Sequence, residues 1–178
     1  SANFEGLEGE PHVEVAPGDL TDSSDVRSAC EGVDAVAHLA AILPPVAEQN
    51  PDLTRHVNID GTRVVVEAIQ AKVPSARLVL SSSVSVYGDT TPQDKEITVD
   101  RVANPDDVYA ASKAESESIV VGSDIDWIAL RISGVAVPVF QEPPAEWPFT
   151  PDERIEFVHR DDAVSALSAS LTVKGDGR

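Results

Sequence analysis

Short apolar runs alternate with amphipathic stretches along the first part of the chain. The run at 12–19 ends in Pro-Gly and predicts a strand, and 23–32 has the pattern of a short helix. A second apolar run at 34–41 predicts another strand, a proline-containing loop follows at 44–51, and 57–72 predicts a longer helix. One strand-helix unit is therefore followed by a second.

The third apolar run, at 76–83, predicts a strand that ends in three serines, and a turn-rich stretch follows it. We then expect a helix that opens at Pro105 with Asn104 as its cap. Asparagine accepts hydrogen bonds from the free N–H groups of a first turn, and proline fits that turn. Gly122 is expected to end this helix.

The last part of the chain predicts strands at 126–133 and 154–162 and a closing helix at 161–171. Strands that alternate with helices form βαβ units, in which the strands lie parallel. The order of elements predicts an α/β fold with a doubly wound parallel sheet, formed by a single domain over 1–178.

Composition supports this fold and excludes two kinds of partner. Hydrophobic residues make up 42% of the chain, but aromatic residues make up only 4% and methionine is absent. The core must therefore consist mainly of Val, Ile, Leu and Ala, which is typical of buried parallel strands. The 13 basic and 31 acidic residues give a net charge of −18. This charge repels nucleic acids and anionic membranes, and we expect neither as a partner.

The chain has the features of a cytoplasmic protein. Cys30 is the only cysteine, so an intrachain disulfide is impossible, and no Asn-x-Ser/Thr acceptor occurs. The first residues lack a basic region followed by an apolar one, and no apolar run has the length of a membrane span. The four histidines are scattered along the sequence, so no metal site is predicted.

Tyr109 and Lys113 stand four residues apart in a predicted helix, so their side chains share one face. An ammonium group in that position favours the phenolate and lowers a tyrosine pKa that is ordinarily about 10. Two polar residues on a solvated helix face would show the same spacing. The serines at the end of the third strand favour the chemical interpretation, because the carboxyl ends of parallel strands line the ligand crevice.

Segments along nearly the whole chain resemble, in order, the extended short-chain dehydrogenase/reductase family. This is the branch of NAD-dependent sugar epimerases, dehydratases and related reductases. Each segment is weak by itself, but their common order is specific. The segments are GDLTD (18–22), HLAA (38–41), VNIDGT (57–62), SSSVSVYG (81–88), YAASK (109–113), LRISGVAVP (130–138) and FVHRDDAVSAL (157–167).

The resemblance implies catalytic roles for four residues. Ser83 would orient and polarise the substrate oxygen, and Tyr109 would be the acid/base. Lys113 would bind the nicotinamide ribose and lower the tyrosine pKa, while Asn58 would support the active-site end of its helix. Hydride would move between a substrate carbon and the nicotinamide, and the tyrosine would handle the proton of the oxygen.

The resemblance also implies a cofactor and partners. NAD is expected, with NADP as the alternative, and the enzyme would be a homodimer acting on a small molecule such as a nucleotide sugar. Asp19 and Leu20 would lie beside the adenine. The other residues expected to contact the cofactor, besides Tyr109 and Lys113, are Leu39, Ala40, Ala41 and Ser81.

Two departures from the family pattern concern the substrate side. Val84 and Ser85 stand where dehydratases of the family carry an acidic pair, and elimination needs such carboxylates. This favours an oxidoreductase or an epimerase over a dehydratase. Ala136 stands where the family commonly has a tyrosine, so the contact of this segment with substrate is expected to differ.

A third departure is the lack of a G-x-x-G-x-x-G pyrophosphate loop, whose nearest match is Gly6 with Gly9. The chain is therefore expected to be an internal part of a longer enzyme, incomplete at both ends, in which 138–178 begins the substrate-side region. The first strand of the family lies centrally in its sheet. Without it, the segment 12–19 would pair directly with 34–41, or a second copy would cover the edge, or a longer chain would complete the sheet.

The predicted function is that of an NAD(P)-dependent oxidoreductase or epimerase acting on a nucleotide sugar or a similar carbonyl/alcohol substrate. Two alternatives stay open. One is a dinucleotide-binding regulator that catalyses nothing, and the other is an inactive fragment of such an enzyme.

Overall fold

The computed structural model describes residues 7, 10–90, 96–136 and 156–173. Gly6, Gly9 and much of the predicted substrate-side region therefore lie outside the described residues. Within them, a π-helical turn at Arg55–Asp60 and a 3₁₀ turn at Val84–Tyr87 accompany the regular elements. These elements are α1 (Ser23–Ala29), β1 (Ala35–His38), α2 (Val46–Gln49), α3 (Pro51–Thr54), α4 (Gly61–Lys72), β2 (Arg77–Ser83), α5 (Val108–Val121), β3 (Trp127–Ile132), β4 (Gly134–Ala136), β5 (Phe157–His159) and α6 (Arg160–Ser170).

The main sheet of the described residues has three parallel strands in the order β1-β2-β3. Leu80 of β2 lies between His38 of β1 and Ala129 of β3, and Ser83 at the end of β2 lies beside Ile132. β4 and β5 form a separate parallel pair. The strands predicted at 76–83 and 126–133 are therefore confirmed with slightly shorter bounds. The strand predicted at 34–41 is also confirmed, but it is half as long as predicted because it ends at His38.

Helices cover both faces of this sheet. Leu78 and Leu80 pack in one core cluster with Ile69 of α4 and Val120 of α5. Side chains alternate along a strand, so Arg77 points to the other face, where its guanidinium donates to the carbonyl of Ser170 at the end of α6. The predicted α/β fold with a doubly wound parallel sheet is confirmed, although only part of such a sheet is present.

The strand predicted at 12–19 is wrong. Residues 13–19 lie outside every strand of the described part, and Val13 and Val15 are 45% and 38% exposed. The strand beside β1 in the described residues is β2, so this segment does not pair directly with β1. An apolar run becomes a strand only where a neighbour completes its main-chain hydrogen bonds, and the described part of the chain provides no such neighbour for this segment.

The loop predicted at 44–51 is instead largely helical, because it contains the short helix α2 and the first residue of α3. The Asn50 side chain accepts a hydrogen bond from the N–H of Leu53, and Pro51 occupies the first helical position. The strand predicted at 154–162 is reduced to β5, and residues 154–155 lie outside the described part. His159 ends β5 and caps α6 with its side chain, which accepts from the N–H of Asp161.

The helix that carries Tyr109 begins later than the sequence predicts. Its cap is Asp107, whose carboxylate accepts from the N–H of Ala110 at 2.6 Å, and not Asn104. The N–H of Asn104 instead donates to the carbonyl of Val86, which ties the preceding loop to the 3₁₀ turn. Gly122 ends the helix as predicted.

Candidate active site

The carboxyl end of β2 places its three serines in different surroundings. Ser82 is buried and donates to the Glu117 carboxylate on α5 at 2.6 Å. Ser83 is half-buried and caps the 3₁₀ turn, where its Oγ accepts from the N–H of Ser85 at 3.2 Å and from the Ser85 hydroxyl at 2.8 Å. Ser81 offers its main-chain carbonyl to Lys113. The pleat of the strand separates the side chains of Ser82 and Ser83, because successive side chains face opposite sides.

Tyr109 lies in the first turn of α5, and Lys113 lies one turn later on the same face. The Lys113 Nζ is 5.8 Å from the centre of the Tyr109 ring. The Ser83 side chain lies close enough to the Tyr109 phenol to influence its pKa. The structure therefore brings Ser83 close to Tyr109 and Lys113, although Ser83 is distant from both in sequence. The three residues meet where the carboxyl end of β2 faces the start of α5.

The Tyr109 phenol has a raised pKa, which is opposite to the direction expected from its lysine neighbour. Burial is the main cause because it disfavours the phenolate, and the charge of Asp107 acts in the same direction. The neighbouring Ser83 side chain lowers the pKa but does not outweigh burial. At neutral pH the phenol is therefore protonated, and it can donate a proton.

Lys113 is held by the main chain in this structure. Its side chain is buried, and Nζ donates to the carbonyl of Ser81 at 2.7 Å. Burial lowers its pKa to about 8. An ammonium group with this pKa is still mostly charged at neutral pH. It can therefore donate to a ligand oxygen in place of the Ser81 carbonyl.

Asn58 supports the site from the π-helical turn before α4. Its amide donates to the carbonyl of Ile42 and to the Ser112 hydroxyl, and its oxygen accepts from the N–H of Ile42 at 2.7 Å. Asn58 thus links the loop after β1 to α5, one residue before Lys113. A π-helical turn is often found at a functional site, and here it turns the buried Asn58 side chain towards that site.

His38 is a buried neighbour of the site. Its Nε2 lies 3.0 Å from the hydroxyl of Thr62. Its pKa is lowered to about 4, mainly by burial and further by the charge of Lys113, so the imidazole is neutral at physiological pH. A neutral, hydrogen-bonded histidine is a structural element of this region.

The residues expected to contact a cofactor lie in two places. Leu39 and Ala40 are exposed and Ala41 is half-buried, directly after β1 and next to the serines of β2. Asp19 and Leu20 lie near the start of α4, where an added Cβ on Gly61 would meet Leu20 at 2.8 Å. Hydrogen bonds from Thr21 lower the pKa of the Asp19 carboxyl, so it is ionised and accepts.

Two structural supports of the site were missed by sequence reasoning. The Glu48 carboxylate on α2 accepts from the N–H groups of Val108 and Tyr109 at 3.2 and 3.1 Å. Glu117 forms a buried ion pair with Arg131 of β3, at 2.7 and 2.8 Å. The position of Glu117 four residues after Lys113 could have indicated the same helix face, but nothing in the sequence identifies its partner.

The described residues contain no helix long and apolar enough to cross a membrane. They also contain no group of three or more His, Cys, Asp or Glu side chains arranged to hold a metal ion.

A model of the NAD dependent epimerase/dehydratase family matches residues 2–146, which is well over half of the chain. The chain belongs to this family. The match confirms the resemblance to extended short-chain dehydrogenases and reductases, and it covers the segments that carry Ser83, Tyr109 and Lys113. The roles of these residues are not part of the match.

This chain matches only part of the length of individual relatives. D-erythronate dehydrogenase of Haemophilus influenzae is 31% identical over 146 residues, which are 79% of this chain and 45% of the relative. dTDP-glucose 4,6-dehydratase of Mycobacterium tuberculosis is 33% identical over 113 residues, which are 62% of this chain and 34% of the relative. The chain thus spans less than half the length of these curated family members.

A solved structure shows the same fold. The dTDP-glucose 4,6-dehydratase DesIV of Streptomyces venezuelae, solved with NAD bound, superposes with a TM-score of 0.82 at 23% identity. The superposition covers 96% of this chain and 58% of that one. At this identity the likeness establishes the Rossmann-like architecture of the family, and it leaves the chemistry of this chain to be argued from its own residues.

Proposed function

We propose that this chain carries the catalytic region of an NAD(P)-dependent oxidoreductase or epimerase. Its substrate would be a nucleotide sugar or a similar molecule with an exchangeable carbonyl/alcohol group. The observation that carries the proposal is the convergence of Ser83, Tyr109 and Lys113 at the carboxyl end of β2. Family membership supports it, because the curated relatives include a dehydrogenase and a dehydratase.

The residues of this chain fit the two ends of a dinucleotide. Near one end, the exposed Leu39 and Ala40 offer small apolar surface beside the Lys113 ammonium, which can bind a ribose hydroxyl. Near the other, Asp19 is an ionised acceptor beside Leu20. The sequence has no G-x-x-G-x-x-G loop for the pyrophosphate, so this chain supplies no such loop of its own.

The proton chemistry would be carried out by Tyr109. A bound nicotinamide would supply the hydride acceptor or donor. Tyr109 would transfer a proton to or from the substrate oxygen, and Ser83 would hold that oxygen with its hydroxyl. The raised pKa keeps the phenol protonated and ready to donate, which suits reduction. For oxidation, Lys113 would leave the Ser81 carbonyl for a position nearer the phenol and so favour the phenolate.

The residues that follow Ser83 favour oxidation, reduction or epimerisation over elimination. Val84 and Ser85 provide no carboxylate at positions where dehydratases of the family are expected to have one. A dinucleotide-binding regulator is less well supported, because such a protein has no need for a phenol near a serine and an ammonium group. A homodimer and a cytoplasmic location stay predictions from the resemblance and the composition.

The first test is a fluorescence titration of the purified chain with NADH and with NADPH. Saturable binding supports the proposal, and the tighter of the two ligands identifies the cofactor. A chain that is folded by circular dichroism but binds neither would favour the inactive-fragment alternative.

The second test concerns Tyr109. In the enzyme that turns over, Tyr109→Phe should lower kcat by about 10²–10⁴-fold, because proton transfer is lost, while the Kd for cofactor changes little. Tyr87→Phe is the matched control, since the Tyr87 hydroxyl bonds the carbonyl of Thr98 at 3.3 Å and is not one of the three converging residues, and it should keep normal turnover. Near-normal kcat for Tyr109→Phe would refute the catalytic assignment.

A further inference from the structure

Tyr109 lies in a part of its helix where main-chain N–H groups have no partner within the helix. It is the second residue of α5, which begins at Val108 and not near Pro105 as the sequence predicts. The first N–H groups of a helix have no carbonyl one turn earlier to bind. The candidate proton donor therefore stands in a turn that needs acceptors from elsewhere in the chain.

Two carboxylates accept from the N–H groups of this first turn. The Asp107 side chain accepts from Ala110 at 2.6 Å. The Glu48 carboxylate accepts from Val108 at 3.2 Å through Oε2 and from Tyr109 at 3.1 Å through Oε1. A main-chain N–H can only donate, so the direction of these bonds is fixed. The main chain of Tyr109 is thus held by a side chain from α2.

Glu48 belongs to a segment that is itself firmly attached to the fold. Ala47 beside it is fully buried, and its carbonyl accepts from the Thr54 hydroxyl at 3.0 Å. Earlier in the segment, both main-chain groups of Ile42 are bonded to the Asn58 side chain. The Glu48 carboxylate therefore has a fixed base from which it holds the start of α5.

The same segment begins with the residues expected to contact the cofactor. Leu39, Ala40 and Ala41 directly precede Ile42, and Glu48 lies near the other end. One stretch of chain thus joins the expected cofactor position to Tyr109. Proton transfer alongside hydride transfer depends on how these two parts of the site are placed relative to each other.

We propose that Glu48 is a positioning residue of the candidate site, whose carboxylate fixes the main chain of Tyr109 and thereby places its phenol relative to the cofactor-side segment. This role deepens the proposed function and rests on it for its catalytic meaning. The two hydrogen bonds belong to this chain, however, and their effect on Tyr109 can be measured without cofactor or substrate.

A purely stabilising role for Glu48 makes a different prediction. A carboxylate at a helix N-terminus stabilises the helix by its attraction to the partial positive charge there. If this were the whole role, loss of Glu48 would lower the stability of the chain but leave Tyr109 in its place in folded molecules. The two roles are therefore separated by measurements on folded protein, well below its Tm.

Amide hydrogen exchange, followed by NMR in the complete chain, tests the main-chain contact. In Glu48→Ala, the N–H groups of Val108 and Tyr109 should exchange about tenfold faster than in the parent, because their acceptors are gone. Ala110 is the internal reference, since Asp107 still accepts from it, and its exchange should change much less. Unchanged exchange at Val108 and Tyr109 would overturn the proposal.

The Tyr109 phenol is followed separately by ¹⁹F NMR, because the chain has only two tyrosines. With biosynthetic 3,5-difluorotyrosine, Tyr109 and Tyr87 each give a resonance, and Tyr87→Phe assigns them. Glu48→Ala should shift or broaden the Tyr109 resonance. Tyr87 lies in the turn after β2, and its unchanged resonance would show that the fold is intact. A Tyr109 resonance identical to that of the parent would also overturn the proposal.

Two further variants separate the hydrogen bonds from the charge. Glu48→Gln keeps one acceptor oxygen but no charge, so it should change exchange and the Tyr109 resonance less than Glu48→Ala does. Glu115→Gln removes an exposed carboxylate, paired with Arg55, from the same helix and should behave like the parent. Equal effects of Glu115→Gln and Glu48→Ala on Tyr109 would show a general effect of charge and refute the positioning role.

In the enzyme that turns over, misplacement of Tyr109 should appear in the chemical step. Glu48→Ala should lower kcat by about 10–100-fold, while the Kd for cofactor changes little, because Glu48 is not among the residues expected to contact it. A near-normal kcat would contradict the proposal. Failure of the parent to bind NADH or NADPH would count against the proposed function alone, since exchange and ¹⁹F NMR need neither ligand.

Discussion

Tyr109 and Lys113 show how burial changes the chemistry that a sequence motif suggests. Their spacing correctly indicated a shared helix face close to the strand-end serines. It also suggested that the lysine lowers the tyrosine pKa, but burial raises it, and the ammonium binds the carbonyl of Ser81 instead. Desolvation acts on each ionisable group by its depth in the fold, and depth is not visible in the spacing.

The buried Lys113 should make stability depend on pH. Its folded-state pKa of about 8 lies below its unfolded value, so between these two values the unfolded chain binds more protons and stability rises with pH. The gain should be about 2 kcal/mol from about pH 7.5 to about pH 9.5. Urea unfolding of the parent and of Lys113→Met at both pH values measures it as the difference between the two chains.

The Lys113→Met comparison removes the contributions of other groups that titrate in the same range. The variant should lack this rise. If the stability of parent and variant changes equally between the two pH values, burial does not lower the pKa of Lys113 in the folded chain.

At the scale of elements, α5 is the support of the site, and three contacts fix it. Asp107 caps it, the Glu48 carboxylate binds its first N–H groups, and Glu117 ties it to β3 through Arg131. The Arg131 guanidinium also lies 4.7 Å from the centre of the Tyr87 ring, in the turn after Ser83. The ion pair therefore joins α5, β3 and the turn that follows β2.

Breaking this buried ion pair should be costly. The Glu117 and Arg131 side chains are 4% and 8% exposed. Arg131→Met leaves the Glu117 carboxylate buried without its cation and should lower the free energy of unfolding by about 3–5 kcal/mol. Replacing both residues by Met should recover part of this loss, because no unpaired charge remains, although the Ser82 hydroxyl loses its Glu117 acceptor. Urea denaturation measures all three chains.

An exposed ion pair of the same kind provides the control. Arg55 and Glu115 are paired at 3.3 Å with side chains 65% and 40% exposed, so Arg55→Met should change the free energy of unfolding by less than about 1 kcal/mol. Equal effects of Arg55→Met and Arg131→Met would show that the Glu117–Arg131 pair does not stabilise the fold as its burial implies.

For the whole molecule, net charge is the dominant electrostatic property. The formal charge of −18 is spread over 178 residues, and the surplus of carboxylates repels itself in the compact state. Raising NaCl from about 0.05 to about 0.5 M shortens the Debye length to less than the spacing of most surface charges. The Tm should therefore rise with salt.

The control for the salt series is the Tm measured in an uncharged osmolyte at equal osmolality. It separates charge screening by the salt from the general effect of solvent exclusion. A Tm that falls or stays flat with NaCl, measured by calorimetry, would show that favourable surface ion pairs outweigh the net repulsion.

Fold class was predictable from the sequence because it depends on local patterns. The runs at 34–41, 76–83 and 126–133 are strands because they are apolar and flanked by turns, and all three found partners in the sheet. The run at 12–19 has a similar pattern but no neighbour among the described residues, so it is not a strand. Strand formation needs both a suitable sequence and a second strand to share hydrogen bonds.

The sequence by itself determined the α/β class and the family, and it identified Ser83, Tyr109 and Lys113 as candidate site residues, because periodicity and short motifs are carried by neighbouring positions. Only the tertiary structure decided the contacts between distant segments: Glu117 with Arg131, Glu48 with the start of α5, and Ser83 with Tyr109. It also decided the direction of each pKa shift. The physical reason is the same in each case, because burial and partner choice depend on how elements pack, and packing joins residues that the sequence separates.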